Sequence, residues 1–158
     1  MSGVSYAIRP ATLEDVDETF SVRGATRENA IPRARLAALG ITPASVSAAM
    51  QTGTYRSWVA EADGRIVGFC NAEAASGEVI VLAILDGYEG RGIGQALLAQ
   101  AVNFLHAQEC PRLWLMAGSS QALRSHGFYR ANGWAPSGRR DAIGDEEMIY
   151  TRARTTAL

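Results

Sequence analysis

The sequence predicts an α+β fold, a mixed, mostly antiparallel sheet of about six to seven strands flanked by about four helices. Three observations lead there. A run of strand periodicity from Tyr55 to Leu85 is interrupted only by Asp63-Gly64 and Ser76-Gly77. A glycine-rich turn from Asp86 to Gly94 then opens a long amphipathic stretch, with Ile93, Leu97, Ala101, Phe104 and Leu105 at helical spacing. The composition, 47% apolar and 20% charged over 158 residues, is that of a chain able to bury a substantial core.

Val4 to Arg9 reads as a first strand. Thr12-Leu13-Glu14-Asp15 places an N-cap hydroxyl three residues before an acidic side chain, with Val16 and Phe20 at i, i+4 spacing, so a helix begins at Leu13 and ends by Gly24. Ala25 to Leu39 holds Pro32, Arg33, Arg35 and the polar cluster Thr26-Arg27-Glu28-Asn29, and reads as a connecting segment. Thr42-Pro43 is an N-cap followed by proline at the first helical position, and Val46, Ala49 and Met50 give the short second helix an apolar face. Tyr55 to Ala62, Arg65 to Ala74 and Glu78 to Leu85 form an antiparallel meander. The helix that opens at the glycine-rich turn runs to about Gln108, where Pro111 closes it. Arg112 to Ala117 reads as a strand. Ser119-Ser120 can cap a further helix through Arg130 that stops at Asn132-Gly133, and Trp134 onward with Glu146 to Arg152 completes a strand pair. No repeat or linker divides the chain, so residues 1–158 are expected to form a single domain.

Fifteen basic against sixteen acidic residues leave a formal charge of -1, so no overall positive field draws the protein to nucleic acid or anionic lipid. All the basic residues are arginine. Without lysine the chain can form no Schiff base on an enzyme amine, no phosphate-loop lysine contact and no Ser-Lys pair. Cys70 and Cys110 lie far apart, neither with a second Cys or a His at metal-clip spacing, so structural zinc is excluded and two reduced thiols are expected. Met1 to Ala11 lacks an apolar signal core, and no stretch approaches the roughly twenty apolar residues of a membrane span, so a cytoplasmic protein is expected.

The glycine-rich turn carries the first chemical argument. Its glycines lie between a buried strand and a helix N-terminus, where unpaired backbone N–H groups and the helix dipole favour an anion and a missing Cβ lets phosphate oxygens approach the backbone. The bland alternative is a turn that needs glycine only for its backbone angles. A Walker loop needs the missing lysine. A dinucleotide G-x-G-x-x-G fails because its third glycine falls on Gln95 counting from Gly90, or on Leu97 counting from Gly92. An antiparallel meander upstream is also foreign to a parallel βαβ unit.

Gly92 and Gly94 at the head of a helix, with Phe128-Tyr129 followed by Gly133-Trp134, resemble the two motifs of the GNAT acyl-CoA N-acyltransferases, and the element order resembles theirs along nearly the whole chain. The sequence departs from the family pattern at Glu89, where Arg or Gln is usual, and at Ala122, where Asn is common. A carboxylate beside phosphates repels them unless it turns to solvent, and Arg91 and Arg124 are candidates to offset it. Arg23 with Thr26-Arg27-Glu28-Asn29, and Leu39-Gly40-Ile41-Thr42, resemble a subgroup of small bacterial GNAT proteins in which this region covers the acceptor cleft.

The resemblance implies acetyl-CoA as the acyl donor, with no metal, and an amine of a small molecule or peptide as acceptor. It implies that Leu82, Ala83 and Ile84 pair through their backbone with the pantetheine arm like an added strand. Glu89, Gly90, Arg91, Gly92, Ile93, Gly94 and Gln95 would surround the pyrophosphate, and Phe128 and Tyr129 would close the site. Tyr129 matches the family tyrosine that approaches the sulfur, where a phenol can give a proton to the thiolate; the plain alternative is an aromatic stacked under Trp134. Glu73, Glu28 and Asp86 are the carboxylates considered as general base, while His126 falls on the last helix in a surface or packing role. Ser125-His126 lacks the elbow of a serine hydrolase. Two other readings compete: a GNAT-fold protein that binds acyl-CoA without catalysis, motivated by Glu89 and Ala122, and an unrelated nucleotide-binding domain. GNAT proteins commonly pair through exposed strands or helices, so a homodimer remains open, and an acceptor carrying a carboxylate would suit Arg23, Arg27, Arg33 and Arg35.

Overall fold

The computed structural model describes residues 5–26, 31–118 and 124–152. In chain order its elements are β1 (Ala7–Pro10), α1 (Val16–Gly24), α2 (Arg33–Ala38), α3 (Pro43–Gln51), β2 (Tyr55–Ala62), β3 (Arg65–Glu73), β4 (Glu78–Ile84), α4 (Ile93–Ala107), β5 (Trp114–Ala117), α5 (Arg124–Ala131), β6 (Trp134–Arg140) and β7 (Glu146–Tyr150). The strands form one seven-stranded sheet in the order β1-β2-β3-β4-β5-β7-β6. Every neighbouring pair is antiparallel except β4 and β5.

Local chemistry accounts for the elements. A 3-10 turn at Leu13–Asp15 leads into α1, where the Thr12 backbone N–H donates to the Asp15 carboxylate at 2.7 Å. The Arg9 guanidinium also grips that carboxylate and holds Asp15 down to about 2, well below the usual range. Thr42 and Ser45 cap α3 reciprocally, with Pro43 at its first position. α4 buries Ile93, Leu97, Leu98, Ala101, Val102 and Leu105 along one stripe, as its apolar spacing predicted.

Two layers cover the sheet. On one face Val22 of α1 packs against Val59, Phe69 and Ala83; on the other the α4 stripe packs against Trp58, Ala60 and Cys70, and Tyr129 and Trp134 join that layer. Strand alternation puts the two sets on opposite sides. A smaller cluster of Val16, Phe20, Leu36 and Val46 ties α1, α2 and α3 together.

The structure corrects several boundaries. β1 begins at Ala7 rather than Val4, which lies outside the described residues. The segment expected to connect α1 and α3 contains a fifth helix, α2, with Leu36 as its one buried residue. A two-turn helix that buries one side chain leaves no apolar period to read. β5 starts at Trp114 rather than Arg112, and β7 ends at Tyr150 rather than Arg152. The proposed Ser119-Ser120 cap and Ala122 fall outside the described residues. No helix among the described residues is long and apolar enough to cross a membrane.

Candidate functional site

The sheet parts at its centre. β4 and β5 are bridged at one register position, Glu78 opposite Trp114, and part beyond it. Their closed end is pinned by close backbone approach. Trp114 N–H donates to the Gly77 carbonyl at 3.1 Å and the Trp114 indole N–H to the Ser76 carbonyl at 2.8 Å. Gly77 has a φ of +78°, and a Cβ there would stand 2.1 Å from the Arg112 carbonyl oxygen, so glycine is required at this crossing. Glu78 sits at the same end, where burial first and the Glu73 charge second push its carboxyl up to about 7.

Above the pinned end the parted strands open a cleft of about 1230 Å³, walled by residues 79–84 of β4 and 115–118 of β5 and its end. The glycine-rich turn stands at its mouth. Gly90 and Gly92 both have positive φ, at +75° and +86°, and Gly92 is the left-handed N-cap of α4. The first intrahelical bond runs from Ala96 N–H to the Gly92 carbonyl. Helix geometry therefore leaves the N–H groups of Ile93, Gly94 and Gln95 without an intrahelical acceptor. Tyr88 anchors the turn from below: its hydroxyl donates to Asp63 at 2.6 Å, and Arg65 lies over its ring.

The two sequence motifs meet here. A Cβ on Gly94 would touch the Phe128 ring at 3.4 Å and Ile84 at 3.8 Å, so the missing side chain lets α5, β4 and the head of α4 converge. Tyr129 stands edge-on to Phe128, with centroids 5.4 Å apart, and to Trp134 at 6.4 Å, and also lines the cleft. The packing role and the site position are thus held by one ring. Burial pushes the Tyr129 phenol well up, the nearby Cys70 thiol adds to this, and the Arg23 guanidinium opposes it.

Several expected residues are placed differently. Leu82, Ala83, Ile84, Gly90, Gly92, Gly94, Gln95, Phe128 and Tyr129 do line the cleft, and Ile93 is buried in the core, leaving its backbone N–H at the helix head. Arg91 does not line it: its Nε donates to the Gly87 carbonyl and its guanidinium lies 6.0 Å from the Tyr88 centroid. Glu89 is half-buried and lines the cleft rather than turning out to solvent. Glu73 is not brought to the cleft; it pairs in register with Glu78 at the closed end and accepts from the Ser76 hydroxyl at 2.6 Å. Asp86 is exposed in the turn after β4. Glu28, Arg27 and the side chains of Arg124, Ser125 and His126 lie outside the described residues.

Charged side chains also line the cleft. Arg23 at the end of α1, Arg35 on α2 and Asp145 in the β6–β7 turn all line the cleft. Arg33 does not, because Asp17 and Ser21 hold its guanidinium over Phe20. Asp145 was not foreseen. It is half-buried, and burial first and Asp141 second raise its carboxyl above the usual range. Its sole sequence signal is a carboxylate in a Gly-containing turn between the last strands.

Comparison with known proteins converges on this geometry. The model of the acetyltransferase (GNAT) domain matches residues 53–136. Mycothiol acetyltransferase of Beutenbergia cavernae is 36% identical over 64 residues, covering 40% of this chain and 21% of that protein, so the chain spans about a fifth of the curated relative it matches. The paia N-acetyltransferase of Thermoplasma acidophilum, solved in complex with coenzyme A, superposes with a TM-score of 0.77 at 19% identity, over 94% of this chain and 99% of that one. The ribosomal-protein-S18-alanine N-acetyltransferase of Escherichia coli gives 0.66 at 17% identity, over 98% and 99%.

Proposed function

Because the chain belongs to the GNAT acetyltransferase family, we propose that it works as a one-domain enzyme transferring the acetyl group of acetyl-CoA to a primary amine of a small molecule or peptide, by direct attack in a ternary complex. The observation that carries this reading is the central parting. It places an unpaired stretch of strand backbone, a glycine cradle at a helix head and a buried tyrosine on one cleft.

These parts fit the donor. The β4 backbone at Leu82 to Ile84 has no strand partner on its β5 side and can pair with the amides of a pantetheine arm. The N–H groups of Ile93, Gly94 and Gln95, with the α4 dipole behind them, suit a pyrophosphate. When bound, acetyl-CoA supplies an activated acyl carbon on a thiol leaving group. An N–H near Ile84 is the candidate to stabilise charge on the acyl oxygen.

The reaction needs a neutral amine. Its nitrogen bonds to the acyl carbon, the carbon–sulfur bond breaks, the amine gives up one proton and the departing thiolate takes one. Tyr129, kept as a neutral phenol by burial, is assigned the proton donor. Asp145, whose raised carboxyl sits nearer neutrality than an ordinary Asp, is assigned to accept the amine proton directly or through water. It replaces Glu73, which the cleft does not include.

Thiol release from acetyl-CoA, measured across amines, amino acids and peptides, tests the proposal. Tyr129→Phe is expected to lower kcat about a hundredfold with donor affinity retained. Glu89 on the cleft wall favours one alternative, a protein that binds acyl-CoA without catalysis. Tight coenzyme A binding with no turnover of any amine would establish that alternative, and failure to bind coenzyme A would overturn both readings.

A further inference from the structure

Several of the described arginines have a carboxylate partner. Arg9 is held by Asp15 and Glu61, Arg33 by Asp17, and Arg112 by Glu147. Arg23 is different. It is half-buried and lines the cleft, and its guanidinium has no hydrogen-bond or ion-pair partner among the described residues. A guanidinium withdrawn from water with no counter-ion is costly, and proteins ordinarily pair such a charge. It lines the same cleft as Tyr129, and its charge opposes the rise that burial gives the Tyr129 phenol.

Its side of the sheet decides what it can meet. The preceding residue, Val22, packs on the Val59–Phe69–Ala83 face, whereas the glycine cradle heads α4, which packs on the Trp58–Cys70 face. Arg23 thus comes from α1, the helix that covers the face opposite α4. Arg35, on the same cleft and exposed, adds a second positive charge. Charge contributed from the α1 and α2 side suits an anion of the acceptor rather than the donor phosphates at the head of α4.

We infer that Arg23 is a specificity-determining residue that receives a carboxylate of the acceptor, so that the enzyme acetylates the amine of an aminocarboxylate. The planar fork of a guanidinium matches a carboxylate through two parallel N–H bonds. Binding there supplies the counter-ion that Arg23 lacks among the described residues and directs the amine toward Tyr129 and Asp145. The inference rests on the acetyltransferase reading and narrows its substrate class.

The test compares acceptors that differ only in charge: the α-amino acids and their carboxamides, β-alanine and 4-aminobutyrate, and 2-aminoethyl phosphate, each with acetyl-CoA at saturation. Acids are expected to exceed their amides in kcat/KM by about tenfold to a hundredfold. Arg23→Gln should erase that preference through KM, with acetyl-CoA affinity within about twofold of wild type, and Arg23→Lys should restore part of it. In the unaltered protein, N-acetylated acid products should inhibit more strongly than N-acetylated amides, a readout independent of how the variants fold. Equal use of acids and amides, a preference for the phosphate, a preference that survives Arg23→Gln, or no turnover of any acid by protein that binds acetyl-CoA would each overturn the inference. Loss of donor affinity in Arg23→Gln would instead assign Arg23 to the donor. Failure of the wild-type chain to bind acetyl-CoA would sink the family activity itself.

Discussion

Two walls face the same cleft and are made of different material. The donor wall, from the β4 backbone to the head of α4, consists of main-chain groups and of glycines whose missing side chains keep those groups accessible. The other set of lining groups consists of side chains, Arg23, Arg35 and Asp145, from a helix end, a short helix and a turn. Main-chain recognition suits a cosubstrate that is always the same. Side-chain recognition suits an acceptor that differs from one family member to the next, because each contact can change without disturbing the scaffold.

The sharpest break in this comparison is Gly94→Val. Gly94 needs no left-handed backbone, so the fold should survive, but the branched side chain pushes on Phe128 and Ile84 and fills the cradle. Acetyl-CoA affinity, measured by calorimetry, is expected to fall about a hundredfold with melting nearly unchanged. An unaltered affinity would show that the helix head does not hold the donor.

Asp145→Asn probes the other set and should do the reverse. Donor affinity stays, kcat falls about tenfold, and the acidic limb of the pH–rate profile, set by a carboxyl that burial and Asp141 raise, flattens. A profile that keeps its acidic limb would remove Asp145 from the reaction.

The smallest effect is expected at the end both walls share. Glu78 holds its proton to about 7 when folded, whereas the unfolded chain releases it in the ordinary carboxylate range. The folded state therefore binds the extra proton between those values, and stability falls as pH rises through that window. Partial exposure screens the effect to about 1 kcal/mol. Glu78→Gln should flatten the dependence of Tm on pH between about 5 and 8, and an unchanged slope would exclude the residue as its source.

The same contrast explains what could be read from the sequence. The meander, α4 and the last strand pair were legible because each follows a period and ends on a turn residue. The donor wall was legible because positive-φ and close-approach positions demand glycine, and Phe128 must meet Gly94 across the fold. The acceptor wall follows no spacing rule. Arg23 and Arg33 look alike in the sequence, and only tertiary structure shows Asp17 taking the second and leaving the first on the cleft. Glu73 was a reasonable carboxylate on a central strand, yet its register with Glu78 puts it at the closed end. α2 went unread because a single buried leucine makes no pattern.

The parting of β4 from β5 has a cost for the empty protein. It leaves two strand edges without partners in the middle of a sheet, the kind of exposed ladder that invites pairing with another chain. In the proposed complex an amide-bearing arm would complete the ladder. The cosubstrate would thus also serve there as a missing rung, and its binding would stabilise the folded chain.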